Sequence, residues 1–177
     1  MRRFLAGFLV LAGALCGCQS SGVDTNSDKA PETRSGGRAA LMGQPVTIDG
    51  NGDGAKLRVT LVRVKRTVTS TDKFSTVSAG NRLLGVQFRL FNTGDVAYNG
   101  SPRIGALVVD GQGQQFEPAT HVTDIKAGAV FPASITIAPG DKALGFLVFS
   151  VPEKAKIKQV QFTQDNGFGQ TAQWRVK

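Results

Sequence analysis

Leu83-Leu84-Gly85-Val86-Gln87-Phe88-Arg89-Leu90 is the stretch that decides the fold. Leu84, Val86, Phe88 and Leu90 recur at every second position, so an extended chain puts all four on one face. The same period appears upstream, where Leu57, Val59 and Leu61 alternate with Lys56, Arg58 and Thr60. There the phase changes at Leu61-Val62, and a bulge at that point would carry Lys56, Arg58, Arg63 and Lys65 on a single face. Runs rich in β-branched and aromatic residues predict further strands over 45–49, 104–109, 134–138, 143–151, 157–163 and 171–176. Turn chemistry separates them: Asn51-Gly52 and Asp53-Gly54, Asn92-Thr93-Gly94-Asp95, Asn99-Gly100, Asp110-Gly111-Gln112-Gly113 and Pro139-Gly140-Asp141. No window sustains a helical period. The pattern is all-β, an antiparallel sandwich or barrel.

Ahead of this domain the chain has a different character. Met1-Arg2-Arg3 is a positive start, and Phe4 to Leu15 is an uncharged, largely apolar run, too short to cross a hydrocarbon core of ~30 Å as a helix. It reads as a signal peptide over 1–17. An ordinary cleaved signal with incidental cysteines and an uncleaved anchor are the competing readings. Leu15-Cys16-Gly17-Cys18 resembles the bacterial lipobox, in which an aliphatic residue stands three before the cysteine and a small residue just before it. Cys18 fits; Cys16 fits less well, because bulky Leu15 would precede the cut. The resemblance implies a diacylglyceryl thioether on Cys18, usually with an amide-linked acyl chain, and two or more chains anchor durably. The expected location is extracytoplasmic and held to the membrane by lipid, at the outer membrane if the cell has two, because Gln19 is not a retention aspartate. Arg2 and Arg3 suit both general and twin-arginine export. Residues 18–40, rich in Ser, Gly, Asp and Thr, read as the lipidated end and a flexible tether, leaving 41–177 as the domain.

The chain of 177 residues carries a formal charge of +8, which falls to +6 once Arg2 and Arg3 leave with the signal. Residues 18–40 are balanced, so the surplus belongs to the domain. A basic domain outside the cytoplasm meets anionic lipid, an acidic wall polymer or an envelope protein. Nucleic acid is not expected, since no aromatics interleave with the charges for stacking. Both cysteines, Cys16 and Cys18, precede the domain, which therefore has no disulfide or thiolate site of its own.

Several short pieces together resemble a known family. Gly43-Gln44-Pro45-Val46 opens the domain, and the strand over 84–91 ends in Asn92-Thr93-Gly94. Ala138-Pro139-Gly140 precedes Gly145-Phe146-Leu147-Val148-Phe149 and Val151-Pro152, and Trp174-Arg175-Val176 closes the pattern. These resemble the telokin-like, immunoglobulin-like domain-of-unknown-function family of bacterial envelope lipoproteins, related in fold to a mycobacterial secreted immunoprotective antigen. The resemblance implies an immunoglobulin-like antiparallel β-sandwich of seven to eight strands. It supplies no ligand and no catalytic residues.

Candidate chemistry is sparse. Asp49-Gly50-Asn51-Gly52-Asp53-Gly54 matches the first half of a calcium loop, with Asp49, Asn51 and Asp53 as the oxygen ligands and Gly54 at the turn. The twelfth position is Thr60 where a bidentate glutamate is needed, and a Gly-rich hairpin explains the same residues. Ser70-Thr71-Asp72-Lys73 matches a Ser-x-x-Lys pattern without its companion motifs. His121 is the only histidine, which rules out an imidazole cluster. Met42 is the one methionine after the signal, too few for a soft copper site. Lys56, Arg58, Arg63 and Lys65, with Arg66 at their end, and the series Lys154, Lys156, Lys158 offer basic faces at strand spacing. A solvated sheet face that discourages edge pairing is the plainer reading of both. The expected function is a non-catalytic binding or interaction domain; a calcium-dependent envelope enzyme or accessory, with Asp49, Asp53 and His121 as its players, and a purely structural lipoprotein are the alternatives.

Overall fold

The structure, a computed structural model, describes residues 33–34, 38–72, 77–164 and 167–177. The expected signal peptide, Cys18, most of the expected tether and Lys73 lie outside the described residues. Twelve strands follow in order: β1 (Thr33–Arg34), β2 (Ala40–Leu41), β3 (Pro45–Asp49), β4 (Lys56–Lys65), β5 (Asn81–Asn92), β6 (Tyr98–Gly100), β7 (Ala106–Asp110), β8 (Gln115–Phe116), β9 (Ile135–Ile137), β10 (Lys142–Pro152), β11 (Ile157–Thr163) and β12 (Thr171–Arg175). Seven of them have five residues or more, in line with the seven to eight expected. The first sheet is ordered β1-β3-β4-β5-β10 and the second β2-β12-β11-β7-β8, with β6 and β9 as a separate pair.

Alternation does what the sequence pattern requires. Leu84, Val86, Phe88 and Leu90 of β5 and Leu57, Val59 and Leu61 of β4 are all buried between the sheets. From the second sheet Val160, Phe162 and Trp174 meet them. Phe88 is the hub, with its ring 5.4 Å from Phe162 and 5.9 Å from Trp174 in tilted and edge-on contacts, the geometry that aromatic quadrupoles favour. The indole N–H of Trp174 donates to the Gln44 carbonyl at 2.9 Å, so its one polar group is satisfied at no cost to burial. Each such side chain contributes about 1.5–3 kcal/mol of burial free energy before entropy is counted.

Four features depart from a simple antiparallel meander. Thr33 and Arg34 run parallel to Val46 and Thr47, and Ala40 and Leu41 run parallel to Trp174 and Arg175. Strand pairing thus starts upstream of residue 41, and Ala40 is part of the core at 3% exposure. Asn99-Gly100, expected as a turn, lies within β6 and pairs with Thr136 and Ile135; the chain reverses earlier, where Asn92 holds the bend. Its buried amide donates to the Val96 and Ile137 carbonyls at 2.8 and 2.9 Å, and its Oδ1 accepts from Gly94 N–H at 3.0 Å. The strand expected from residue 104 begins at Ala106, because residues 102–105 form a turn in which Ile104 N–H donates to the Ser101 carbonyl at 3.3 Å.

A second, smaller core covers part of the first sheet's outer side. Leu83, Phe146 and Val148 point away from the sandwich and are covered by Val68, Val122 and Ile125 from the adjoining connections. Gly85 makes this possible: a Cβ there would lie 2.7 Å from Val68 Cγ1, so only a bare backbone lets the covering segment settle. Elsewhere on that side, among the described residues, Arg63, Arg89, Lys142 and Leu144 are exposed.

Candidate functional site

The open half of the first sheet's outer face gathers cations from three adjacent strands. In β4 the register slips between Leu61 and Arg63, the bulge expected from the phase change, so the extra residue Val62 is absorbed without turning the strand over. Lys56, Arg58, Arg63 and Lys65 consequently all face outward, while Val64 packs against the main core. Pairing adds residues that reading one strand at a time missed. Arg58 lies opposite Phe91, and Phe91 opposite Lys142. Their charges flank the ring at 5.6 and 5.7 Å from its centroid, each a cation–π contact. In the next row Thr60 lies opposite Arg89, and Arg89 opposite Leu144, which is 52% exposed. Arg89 was legible, since it holds an outward position in the alternation; Lys142 and Phe91 needed the strand order.

The cationic face is preorganised by its scaffold. Neighbouring strands stand roughly 4.8 Å apart and residues on one face repeat every ~6.8 Å along a strand, so Arg58, Arg63, Arg89 and Lys142 form a lattice of charges. Lys65 sits at its far end, in the row of Gly85 beside the second core, and is only partly exposed. Lys56, at the other end, pairs with Asp49 at 3.6 Å. Both partners are about half exposed, which limits the pair to a fraction of a kcal/mol.

The candidate calcium ligands sit in the hairpin that joins β3 to β4. Asp49 ends β3 opposite Lys56, and its backbone N–H donates to Gln170 Oε1 at 3.2 Å. Asn51 directs its amide nitrogen to the Phe168 carbonyl at 3.2 Å. Gly50 N–H reaches the Ala55 carbonyl at 2.9 Å and Ala55 N–H the Gly52 carbonyl at 3.1 Å, closing a tight reversal with Gly54 at φ 75°. Asp49, Asp53 and Asp95 line one shallow depression of about 240 Å³. Among the described residues, however, no three His, Cys, Asp or Glu side chains are grouped as a metal site would need. Thr60, the twelfth position, is in mid-strand opposite Pro45. His121 lies exposed on the connection between β8 and β9. Ser70 Oγ donates to the Asp124 carbonyl at 3.2 Å and accepts from Asp72 N–H at 3.1 Å, the bonding of a turn.

Comparison with known proteins agrees with this architecture. Residues 46–173 match the family described as a domain of unknown function (DUF4352). No curated protein matches the chain in sequence. Among solved structures it is similar to MPT63, a secreted protein from Mycobacterium tuberculosis, at 13% identity and a TM-score of 0.56, covering 84% of this chain and 100% of that one. It is similar as well to the yjhA protein from Bacillus subtilis, at 14% identity and a TM-score of 0.53 over 78% and 99% of the two chains. A third likeness is to ycdA, a candidate lipoprotein of Bacillus subtilis, at 15% identity and a TM-score of 0.52. This covers 72% of this chain and 39% of that one. At such identities what is shared is the immunoglobulin-like sandwich.

Proposed function

We infer that this chain, which belongs to the DUF4352 family, is an extracytoplasmic lipoprotein whose sandwich binds an acidic polymer of the cell envelope. Cys18 is the lipidated residue, 1–17 the leader and 18–40 the lipidated end and tether in this reading, with Thr33–Arg34 and Ala40 of that stretch pairing onto the domain over 41–177. The lipobox-like Leu15-Cys16-Gly17-Cys18 supports the anchor. The fold shared with a secreted protein and a candidate lipoprotein is consistent with that location.

One observation carries the binding assignment: Arg58, Arg63, Arg89 and Lys142 emerge on the same uncovered face, with Phe91 and Leu144 set among them. Cations on a flat sheet suit a repeating anion better than a single small one. Each exposed contact contributes only about 0.2–1 kcal/mol, so four give a weak, salt-sensitive site. Weakness is no obstacle for a domain held at the membrane, because confinement and the repeat of the polymer raise the effective concentration. The face carries no step of bond chemistry; it holds charge.

The binding arm is tested with the full chain and poly(glycerol phosphate) as probe polymer, by sedimentation across a salt series. Arg63→Gln, Arg89→Gln and Lys142→Gln combined are expected to lower affinity about tenfold or more. Equal affinity of the variant would remove the face from the account. The anchor is tested separately by intact mass of protein taken from cells: acylated Cys18 is expected, and an unmodified mature terminus or a retained leader would overturn it.

A further inference from the structure

Beyond the Lys65 end of the cationic face, one end of the sandwich opens into a cleft of about 600 Å³. That volume lies within the range of sites that enclose small ligands. Its walls come from segments far apart in sequence: the end of β4, the start of β5, the link from β10 to β11, and the chain after β12. Val64, Leu84, Ile157 and Val176 give it an apolar lining. Around them stand six cations, Arg66, Arg82, Lys154, Lys156, Lys158 and Lys177, against the single carboxylate of Glu153.

Arg82 makes the cleft a preformed feature. Its guanidinium donates to the carbonyls of Arg66, of Ala155 at 2.9 Å and of Glu153 at 3.3 Å, tying the end of β4 to the β10–β11 link across the opening. Burial, followed by the like charge of Arg66, holds Arg82 below the ordinary arginine pKa. Lys154, Lys156 and Lys158 are exposed, so their ammonium groups can swing over the mouth while their stems follow the apolar wall.

An apolar floor alone would take a neutral hydrocarbon, and a basic rim alone an inorganic anion. The two together fit a molecule with both parts. We propose that this cleft binds a single-chain anionic lipid, its aliphatic tail against Val64, Leu84, Ile157 and Val176 and its phosphate or carboxylate held by the rim lysines, with Arg82 fixing the walls between them. The site is independent of the polymer-binding face: the two share no residue.

The test uses the full chain carrying Cys16→Ser and Cys18→Ser, so that no attached lipid competes, and isothermal titration below the micellar range. Dodecyl phosphate and dodecanoate are the anionic probes, distinguishing the two head groups; dodecyl maltoside and inorganic phosphate are the controls. Saturable binding of either anionic probe, with both controls at least tenfold weaker, is expected. Among shorter and longer alkyl phosphates, Kd should fall about fourfold for each additional methylene buried, until the cleft is full. Lys154→Glu with Lys156→Glu, at exposed positions that leave the fold intact, should weaken dodecyl phosphate about tenfold or more; Val176→Trp should block the tail. Inorganic phosphate binding as tightly as dodecyl phosphate, dodecyl maltoside binding as tightly, or an unchanged affinity in the double-glutamate variant would each overturn the proposal.

Discussion

Phe88 and Phe91 occupy the same strand three residues apart and face opposite ways, so replacing each by alanine tests the alternation on which the fold rests. Phe88 is fully buried and packs on Phe162 and Trp174. Phe88→Ala removes that burial and leaves a cavity between the sheets, a loss of about 3–5 kcal/mol. For a domain of roughly 140 residues the unfolding entropy near the midpoint is about 0.3 kcal/mol per degree, which converts the loss to a fall in Tm of about 10–17 °C. Phe91→Ala removes a half-buried ring and two cation–π contacts, with Arg58 and Lys142. At exposed positions these contribute about 0.5–1 kcal/mol each, so the expected fall is about 3–7 °C. Thermal unfolding of the three proteins, followed by near-ultraviolet circular dichroism to report on Trp174, measures both. Equal losses, or a larger one for Phe91→Ala, would refute the assignment of inward and outward faces.

Gly94→Ala should cost more than an ordinary surface substitution, by about 2–4 kcal/mol, because the new Cβ would meet Gly54 O at 2.1 Å and Lys56 N at 2.6 Å, backbone atoms that cannot rotate away; chemical denaturation checks it. Asn92→Ala should destabilise by about 2–3 kcal/mol, since it strips the Val96 and Ile137 carbonyls of a donor and leaves Gly94 N–H with the Lys56 carbonyl as its one remaining acceptor; the same assay applies, with a loss under about 0.5 kcal/mol counting against the role given to its amide. Calcium at about 100 times a micromolar Kd would add about 2.7 kcal/mol if Asp49, Asn51 and Asp53 formed a site. With Asp49 beside Lys56 and the Asn51 amide directed at Phe168, no rise in Tm on calcium addition is expected.

Local pattern made much of this fold legible. The strands expected over 45–49 and 157–163 coincide with β3 and β11, where inward and outward residues alternate, and the bulge in β4 follows from a visible change of phase. What stayed hidden depends on neighbours. Two-residue strands such as Thr33–Arg34 have no period to detect. Tyr98–Gly100 was masked by an Asn-Gly pair whose turn propensity loses to pairing with β9. Leu83 and Gly85 occupy outward positions yet are buried, because the connections carrying Val68, Val122 and Ile125 fold over them. The candidate site divides in the same way. Its β4 cations were readable from one strand, whereas Phe91, Arg89 and Lys142 join them through register. The cleft behind Arg82 needed four separated segments to come together.

Mapping chemical shifts of the full chain during titration with poly(glycerol phosphate) tests the cationic face of the first sheet most directly. Perturbations should concentrate at Arg58, Arg63, Arg89, Phe91 and Lys142, and fade as salt shortens the reach of charge. Perturbations centred on the second sheet or on the β3–β4 hairpin, or none at a saturating polymer concentration, would contradict it.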